Sequence, residues 1–323
     1  MNKTIVYGTL GPSCASVETL KELLKLGMDG MRLNLSHCNL KDVMDWLMNY
    51  TQAQKELNIN ADLIIDMQGP ELRTGALETP ITFEKEQVYT LDIPLTKEVY
   101  NALEKDDILR FDDDAVILQM ITTTQCKVLK PGTLYSHKSL TIENKTIDLP
   151  VLTDNDLDNL KVAEKYGVTG IMQPFVRNVE DLKIIKNTLK ELNLNLKVFA
   201  KIESLEGIAQ CETFFPYCDV IVIARGDLGM AMPLAKLPRV QKELSHLCNN
   251  HNFPFMIVTQ MLHSMHHSST PTRAEVSDIF NAVLDGDSYV MLTGETASGD
   301  YPIEAMKYFI ETTKDAEDYR KTL

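Results

Sequence analysis

Short apolar runs that end in a polar or charged residue recur along this chain, and helical stripes separate them. The first run, residues 5–10, enters the turn Gly11-Pro12-Ser13. Val17, Leu20 and Leu24 then share one helical face, and Gly27 stops that helix. Runs at 31–35 and 63–66 read as two further strands, with Val43, Leu47 and Tyr50 striping the helix between them. From 79 to 149 the rhythm changes to short alternating runs, at 88–91, 108–111, 115–121 and 126–129. Turn residues such as Lys130-Pro131-Gly132 separate them, and no strong helical stripe is present. This predicts a small all-β insertion.

The strand–helix rhythm returns at Pro150. Thr153 can cap a helix carrying Leu157, Leu160 and Ala163. Strands are predicted at 171–175, at the two runs within 197–229, at 255–259 and at 288–292. Leu182, Ile185, Leu189 and Leu192 stripe one intervening helix, and Val240, Leu244 and Leu247 another. Thr272-Arg273-Ala274-Glu275 is a capping box, and a last helix spans about 302–319. The count predicts an α/β fold, a (β/α)8 TIM barrel with a small β-rich domain inserted after the third strand. The expected barrel domain is 1–74 and 150–323, and the expected inserted domain is 75–149. A doubly wound open sheet is the alternative, but its Gly-rich turn is missing after the first strand.

Composition narrows the class. With 44% hydrophobic residues and no excess of Gly or Pro, a folded chain is expected. The net charge of -14 argues against a nucleic-acid partner. Six cysteines without a C-x-x-C pair, no signal peptide and no membrane-length apolar run predict a reduced, cytoplasmic setting and no membrane association. The thiols are expected to be buried filler.

The stretch 197–229 concentrates the candidate chemistry. One apolar run closes in Lys201 and Glu203, the next in Arg225 and Asp227. Arg32, Asn34, Ser36, Asp66, Arg73, Lys201, Glu203, Asp227 and Thr259 all fall in or just after strands, where a barrel gathers side chains at one mouth. Glu203 and Asp227 are hard oxygen donors suited to Mg2+ or Mn2+ completed by substrate and water, although carboxylates in so acidic a chain are often merely solvated or salt-bridged. Lys201 can stabilise a migrating phosphoryl group or form a Schiff base, or serve only as a structural partner of Glu203. Gly226 and Asp227 should open a helix or turn whose backbone N–H groups can hold a carboxylate. Arg32 and Arg73 supply guanidinium forks for phosphate. His263, His266 and His267 match no zinc pattern and are expected on a loop or helix surface. Trp46 is expected in the core, and Asp112-Asp113-Asp114 in a solvated turn from which one member could approach a metal. These residues by themselves support a metal-dependent barrel enzyme acting on a phosphorylated or carboxylate substrate.

At the same positions the sequence resembles the pyruvate kinase family. The motifs are TLGPSC (9–14), MRLNLSH (31–37), DMQGPELRTG (66–75), AKIESLEG (200–207) and ARGDLG (224–229). TQMLHSM (259–265), PTRAEVSDIFNAVLDG (271–286) and GETASGDYPIEA (294–305) follow in family order. The resemblance implies a barrel with a mobile β-rich lid, and transfer of phosphate from phosphoenolpyruvate to ADP, giving ATP and pyruvate. It implies that Lys201 stabilises the transferring group and that Glu203 and Asp227 bind Mg2+. The Gly226–Asp227 backbone, Thr259 and Arg32 would meet the substrate, with Thr259 near the proton that reaches the enolate. Arg32 and Arg73 would act on phosphates. Asn34, Ser36, Asp66 and the Met67 carbonyl match a K+ site, and Glu71 matches the carboxylate linked to K+ dependence. Thr9, Pro12, Asn34, His37, Arg73 and Lys138 match nucleotide-side positions, and Asp113 matches an aspartate of the family's inserted domain.

The chain departs from the family pattern at several positions. Gln68 stands for a usual lysine, Met67 for threonine, Ala231 for glutamate and Asp114 for glycine. Residues 139–144 replace the GVNLPG that usually follows the lysine matched by Lys138. The C-terminal domain of the family, with its effector site, is expected to be absent. A homo-oligomer through the barrel domain is one expected assembly. The alternatives left open are another phosphoryl acceptor, enolate or lyase chemistry, and a non-catalytic phosphoenolpyruvate-binding regulator.

Overall fold

The computed structural model describes residues 3–36, 38–112, 114–143, 145, 147 and 149–323. His37 and Asp113, both singled out above, lie outside the described residues. The described chain forms two compact units, Met1–Gly69 with Leu152–Leu323, and Pro70–Val151.

Eight parallel strands build the first unit: β1 (Ile5–Thr9), β2 (Gly30–Asn34) and β3 (Asp62–Asp66) before the insertion, and five more after it. Between them, within the second unit, lie β4 (Ile81–Phe83), β5 (Val88–Thr90), β6 (Ile108–Phe111), β7 (Val116–Met120), β8 (Gln125–Lys130), β9 (Gly132–Leu134) and β10 (Leu140–Ile142). The barrel resumes with β11 (Gly170–Gln173), β12 (Lys197–Ile202), β13 (Val220–Ala224), β14 (Phe255–Val258) and β15 (Tyr289–Met291). The sheet closes on itself in the order β1-β15-β14-β13-β12-β11-β3-β2. The fold class is therefore the (β/α)8 barrel with an inserted antiparallel unit that the strand rhythm predicts.

Inside the barrel, apolar side chains stack in layers. Tyr7, Phe199 and Tyr289 form a three-ring plug near the amino-terminal end, with centroids 5.6–6.4 Å apart. The Tyr7 hydroxyl donates to Asp62 Oδ2 at 2.6 Å. Outside, helix Val17–Leu26 buries Leu20, Leu23 and Leu24 and ends at Gly27, whose φ of 115° is the left-handed conformation glycine tolerates best. Thr153 and Thr272 each complete a capping box, as their spacing predicts. The terminal helix Pro302–Arg320 packs on Arg273–Leu284. On helix Met44–Leu57 the buried face is Leu47, Tyr50 and Ala53. Trp46, one turn before Tyr50 on the same stripe, is half-buried, not in the core as expected. No helix of the described residues is long and apolar enough to cross a membrane.

The second unit holds a five-stranded antiparallel sheet, β10-β6-β7-β8-β5, and the pair β4-β9, around its own apolar core. It also carries a helix, Lys97–Ala102, which the all-β expectation missed. Six residues are too few to display a helical stripe. Here the Thr96 hydroxyl caps the helix by accepting from Val99 N, and Val99 is buried. Segments 72–75 and 137–140 pair, through Thr74 N to Lys138 O (2.8 Å) and Leu140 N to Leu72 O (2.8 Å), which gives Arg73 and Thr74 to this unit.

Asp287, at the amino-terminal side of β15, is 1% exposed. Its Oδ2 accepts from Ile257 N at 3.2 Å, and Oδ1 has no hydrogen-bond partner among the described residues. Burial pushes its carboxyl well above the usual carboxylate range. The unfolded chain ionises this group above about pH 4, whereas the folded chain must keep the proton or bury the charge. Stability is therefore lost as pH rises from there until it passes the folded pKa. Asp287→Asn is expected to raise the melting temperature by roughly 2–4 °C near pH 8, and to change it little near pH 4. Thermal melts of both proteins across that range test this.

Candidate active site

Strand geometry puts the candidate chemistry at the carboxyl end of the barrel. Side chains alternate along a strand, so every second residue points inward, one layer further along the axis. On β12 the inward series runs Phe199, Lys201 and then Glu203 just past the strand. Phe199 belongs to the apolar interior, and the two residues above it are charged. On β3 the same step takes apolar Ile64 to Asp66. Arg32 lies in register with Ile64, and Asn34 with Asp66. The interior thus changes from hydrocarbon to charge within one layer.

A chain of ion pairs runs across this layer. Arg32 grips Asp66 Oδ2 with Nη2 at 2.6 Å and Nε at 3.0 Å. Lys201 Nζ lies 3.3 Å from the same oxygen and 2.9 Å from Glu203 Oε1. The Asp66 and Glu203 side chains are only 3% and 1% exposed. Glu203 Oε2 also accepts from Phe175 N at 2.9 Å. That bond fixes the loop after β11, where Phe175 has a φ of 50°.

Charge balance in this layer favours a cation. Against the two cations Lys201 and Arg32 stand three carboxylates: Lys201 feels Asp66, Glu203 and Asp227, and Glu203 feels Asp227 and Asp66. Burial would raise Asp66, but the Lys201 and Arg32 charges outweigh it and hold its carboxyl below the usual range. Burial opposes the Lys201 charge, yet Asp66 and Glu203 raise its pKa further, so it stays an ammonium. Glu203 goes the other way. Burial, with Asp227 and Asp66 as like charges, pushes it up despite Lys201. Among the described residues no three His, Cys, Asp or Glu side chains form a ready metal cage. Mg2+ is commonly held by one or two carboxylates with substrate oxygens and water, and the Glu203–Asp227 donor set fits that habit.

The residues that the resemblance assigns to the substrate, Gly226, Asp227 and Thr259, lie on the helix Arg225–Ala231 and the loop after β14. Gly226 lies in the first turn, so backbone N–H groups point outward there, as expected. A methyl at Gly226 would stand 3.2 Å from Thr259 Cγ2, so Thr259 packs directly over this glycine. Thr259 has a φ of 80° and Gln260 one of 57°. Two adjacent side-chain-bearing residues in that region, the first β-branched, store about 1–3 kcal/mol each.

The residues that the resemblance assigns to K+ sit at the ends of β2 and β3. Asn34 Oδ1 accepts from Ser36 N at 3.2 Å, and Met67 N donates to Met172 O at 3.0 Å. Asp66 is engaged with Arg32 and Lys201, as described. Of the residues that the resemblance assigns to the nucleotide, Thr9 is buried, and its hydroxyl donates to Leu292 O at 2.9 Å. Pro12 is exposed in the following turn. Arg73 and Lys138 belong to the second unit. Arg73 forms a two-point pair with Glu71 (2.9 and 2.8 Å), and Lys138 lies 3.0 Å from Asp112. Asp114 pairs with Arg110 at 2.9 Å and has a φ of 66°, the conformation that suits the glycine usual there. Asp112 and Asp114 are thus ion-paired, not simply solvated as expected.

Two residues with structural hold on the site are given no role by the sequence reading. Arg225, just past β13 at the start of the helix Arg225–Ala231, reaches the loop carrying Thr259. Asp156, fully buried, accepts from Gln68 N, Gly69 N and Thr153 N at 2.8–3.0 Å, fixing the loop after β3. The T-x-x-D capping pattern, Thr153 to Asp156, was the available signal for the second.

Comparison with known proteins places this arrangement. Residues 1–306 match the family model described as pyruvate kinase, barrel domain. The chain is 35% identical to pyruvate kinase of Kluyveromyces lactis, an alignment covering 98% of this chain and 68% of that protein. Pyruvate kinase 1 of Saccharomyces cerevisiae is 34% identical with the same coverage. Pyruvate kinase of Staphylococcus epidermidis is 34% identical, over 100% of this chain and 59% of that protein. With a barrel match over nearly its whole length, and the expected charged layer in place at the barrel's carboxyl end, the chain belongs to the pyruvate kinase family.

Proposed function

We propose that this chain transfers the phosphoryl group of phosphoenolpyruvate to ADP, giving ATP and pyruvate. The observation that carries this reading is the Arg32–Asp66–Lys201–Glu203 chain of ion pairs, buried at the carboxyl end of a pyruvate kinase barrel. In the reaction the bond between phosphorus and the enol oxygen breaks, and its electron pair stays on that oxygen. The phosphorus joins a terminal oxygen of ADP. The enolate then takes a proton at its methylene carbon to become pyruvate. Little covalent help is needed; alignment and positive charge do the work.

Lys201 supplies that charge beside the phosphoryl group in flight, and Arg32 holds a phosphate oxygen. The Gly226–Asp227 backbone orients the substrate carboxylate, and Thr259 stands near the carbon that is protonated. Glu203 and Asp227 would hold Mg2+ (or Mn2+), which when bound supplies Lewis-acid neutralisation of the phosphate and enolate oxygens. Asn34, Ser36, Asp66 and the Met67 carbonyl, all oxygen donors, would hold K+. Arg73 and Lys138, in the second unit, are proposed to meet nucleotide phosphates, and Thr9 and Pro12 the nucleotide side of the barrel. A glycolytic role of this kind would place the protein in the cytoplasm.

The test is a pyruvate assay with phosphoenolpyruvate, ADP, Mg2+ and K+, repeated across several nucleoside diphosphates. Pyruvate and ATP should appear in equal amounts, and omission of Mg2+ should abolish both. Absence of turnover at millimolar substrates rejects the reading. Metal-dependent pyruvate release without ADP would point to a lyase instead. Calorimetric binding of phosphoenolpyruvate without turnover would point to a regulator.

A further inference from the structure

Thr259 and Gln260 hold a left-handed backbone without glycine. Such a conformation persists only where neighbours over-determine it. The neighbour that does so is Arg225, whose side chain is 13% exposed. Its Nη2 donates to Thr259 O at 2.7 Å and lies 2.9 Å from Met261 Sδ. Its Nε donates to Val258 O at 3.3 Å. One planar guanidinium therefore grips the chain before, at and after Thr259. The fork is locked in turn by Asp278, which accepts Nη1 at 2.7 Å from the far side. Beyond the turn, the buried Glu295 takes Leu262 N at 3.1 Å and anchors the other end of the loop.

We propose that Arg225, oriented by Asp278, is a positioning residue that holds Thr259 in its left-handed conformation, so that the Thr259 hydroxyl faces the substrate carbon that is protonated. The inference rests on the phosphoenolpyruvate reading above and deepens it. Arg225 makes no contact with the reacting atoms in this account; it acts through the Thr259 carbonyl. A lysine could reach one of these acceptors but cannot span all three, because it lacks the planar fork.

Two rates read the proton step. One is kcat for pyruvate formation. The other is exchange of the pyruvate methyl group in D2O, in which a methyl proton leaves to give the enolate and a deuteron returns to the same carbon. Arg225→Gln is expected to lower both by about 10–100-fold while leaving KM for phosphoenolpyruvate within about 3-fold. Arg225→Lys should recover only part of the loss. In a Thr259→Ser background, where the β-branch and its share of the strain are gone, the same Arg225→Gln change should cost markedly less. If Arg225→Gln does not fold, Asp278→Asn, at a partly exposed site, is expected to lower both rates by a smaller factor with KM again unmoved.

A wild type that turns over phosphoenolpyruvate, with variants that match it in both rates, overturns this inference alone. So does a loss confined to KM, or an equal loss in the Thr259→Ser background. A wild type with neither turnover nor exchange overturns the functional reading, and this inference with it.

Discussion

Lys201→Met is expected to lower kcat by about three orders of magnitude or more, while KM for phosphoenolpyruvate moves only a few-fold. The ammonium sits 2.9 Å from Glu203 and 3.3 Å from Asp66, in a layer with little access to water. A fixed charge in such a place gains most as negative charge develops in the transition state, so its loss falls on kcat and not on ground-state binding. Single groups that stabilise a phosphoryl transition state are worth about 10³–10⁵ in rate. The same substitution removes one partner from a buried ion-pair chain, which costs roughly 3–5 kcal/mol of stability when nothing replaces it. Arg32 remains on Asp66, and bound Mg2+ would relieve Glu203, so the variant should melt lower without metal and recover much of the difference with it. Steady-state kinetics beside thermal melts with and without Mg2+ check both halves. Near-normal kcat would remove Lys201 from the chemistry.

Glu203→Gln should separate a metal ligand from a structural salt-bridge partner. As a structural partner alone, Glu203 would be missed by Lys201, and the protein would lose stability. As a ligand crowded by Asp227 and Asp66, it is under repulsion that the neutral amide relieves. Glutamine also keeps an oxygen for Phe175 N. The metal-free variant should therefore melt no lower than the wild type. Its half-saturating Mg2+ should rise by about 10²-fold or more, since even outer-shell changes at metal sites cost 10–100-fold. Mn2+ titration followed by proton relaxation measures this directly. An unchanged metal requirement, with a lower melting point, would make Glu203 structural.

Much of the barrel was legible because its strands are buried on both faces and stop abruptly in polar residues. Phe199 to Lys201 to Glu203 is such a stop, and so is Ile64 to Asp66. The caps at Thr153 and Thr272 were legible because a hydroxyl followed three residues later by a carboxylate satisfies helix ends by local bonds alone. Other features depend on contacts that spacing cannot report. Helix Lys97–Ala102 is too short for periodicity to accumulate. Trp46 shares the stripe of Tyr50 and Ala53 but sits in the first turn of its helix, and periodicity gives a face without giving the depth of burial at a helix end. The left-handed turn at Thr259 and Gln260 carries no glycine to announce it. Its cause is a guanidinium 34 residues away in sequence. Asp66 was expected to face K+; how far its carboxylate is shared with Arg32 and Lys201 depends on the closeness of three strands, which only the closed barrel reveals.

The central claim is that one charged layer at the barrel mouth moves a phosphate from phosphoenolpyruvate to ADP. 31P NMR of phosphoenolpyruvate, ADP, Mg2+ and K+ with the purified wild type, beside the Lys201→Met protein, addresses it most directly. The wild type should convert the phosphoenolpyruvate resonance and the two ADP resonances into the three resonances of ATP, and the variant should leave the mixture essentially unchanged over the same hours. ATP appearing at equal rates with both proteins, or with neither, would contradict the account.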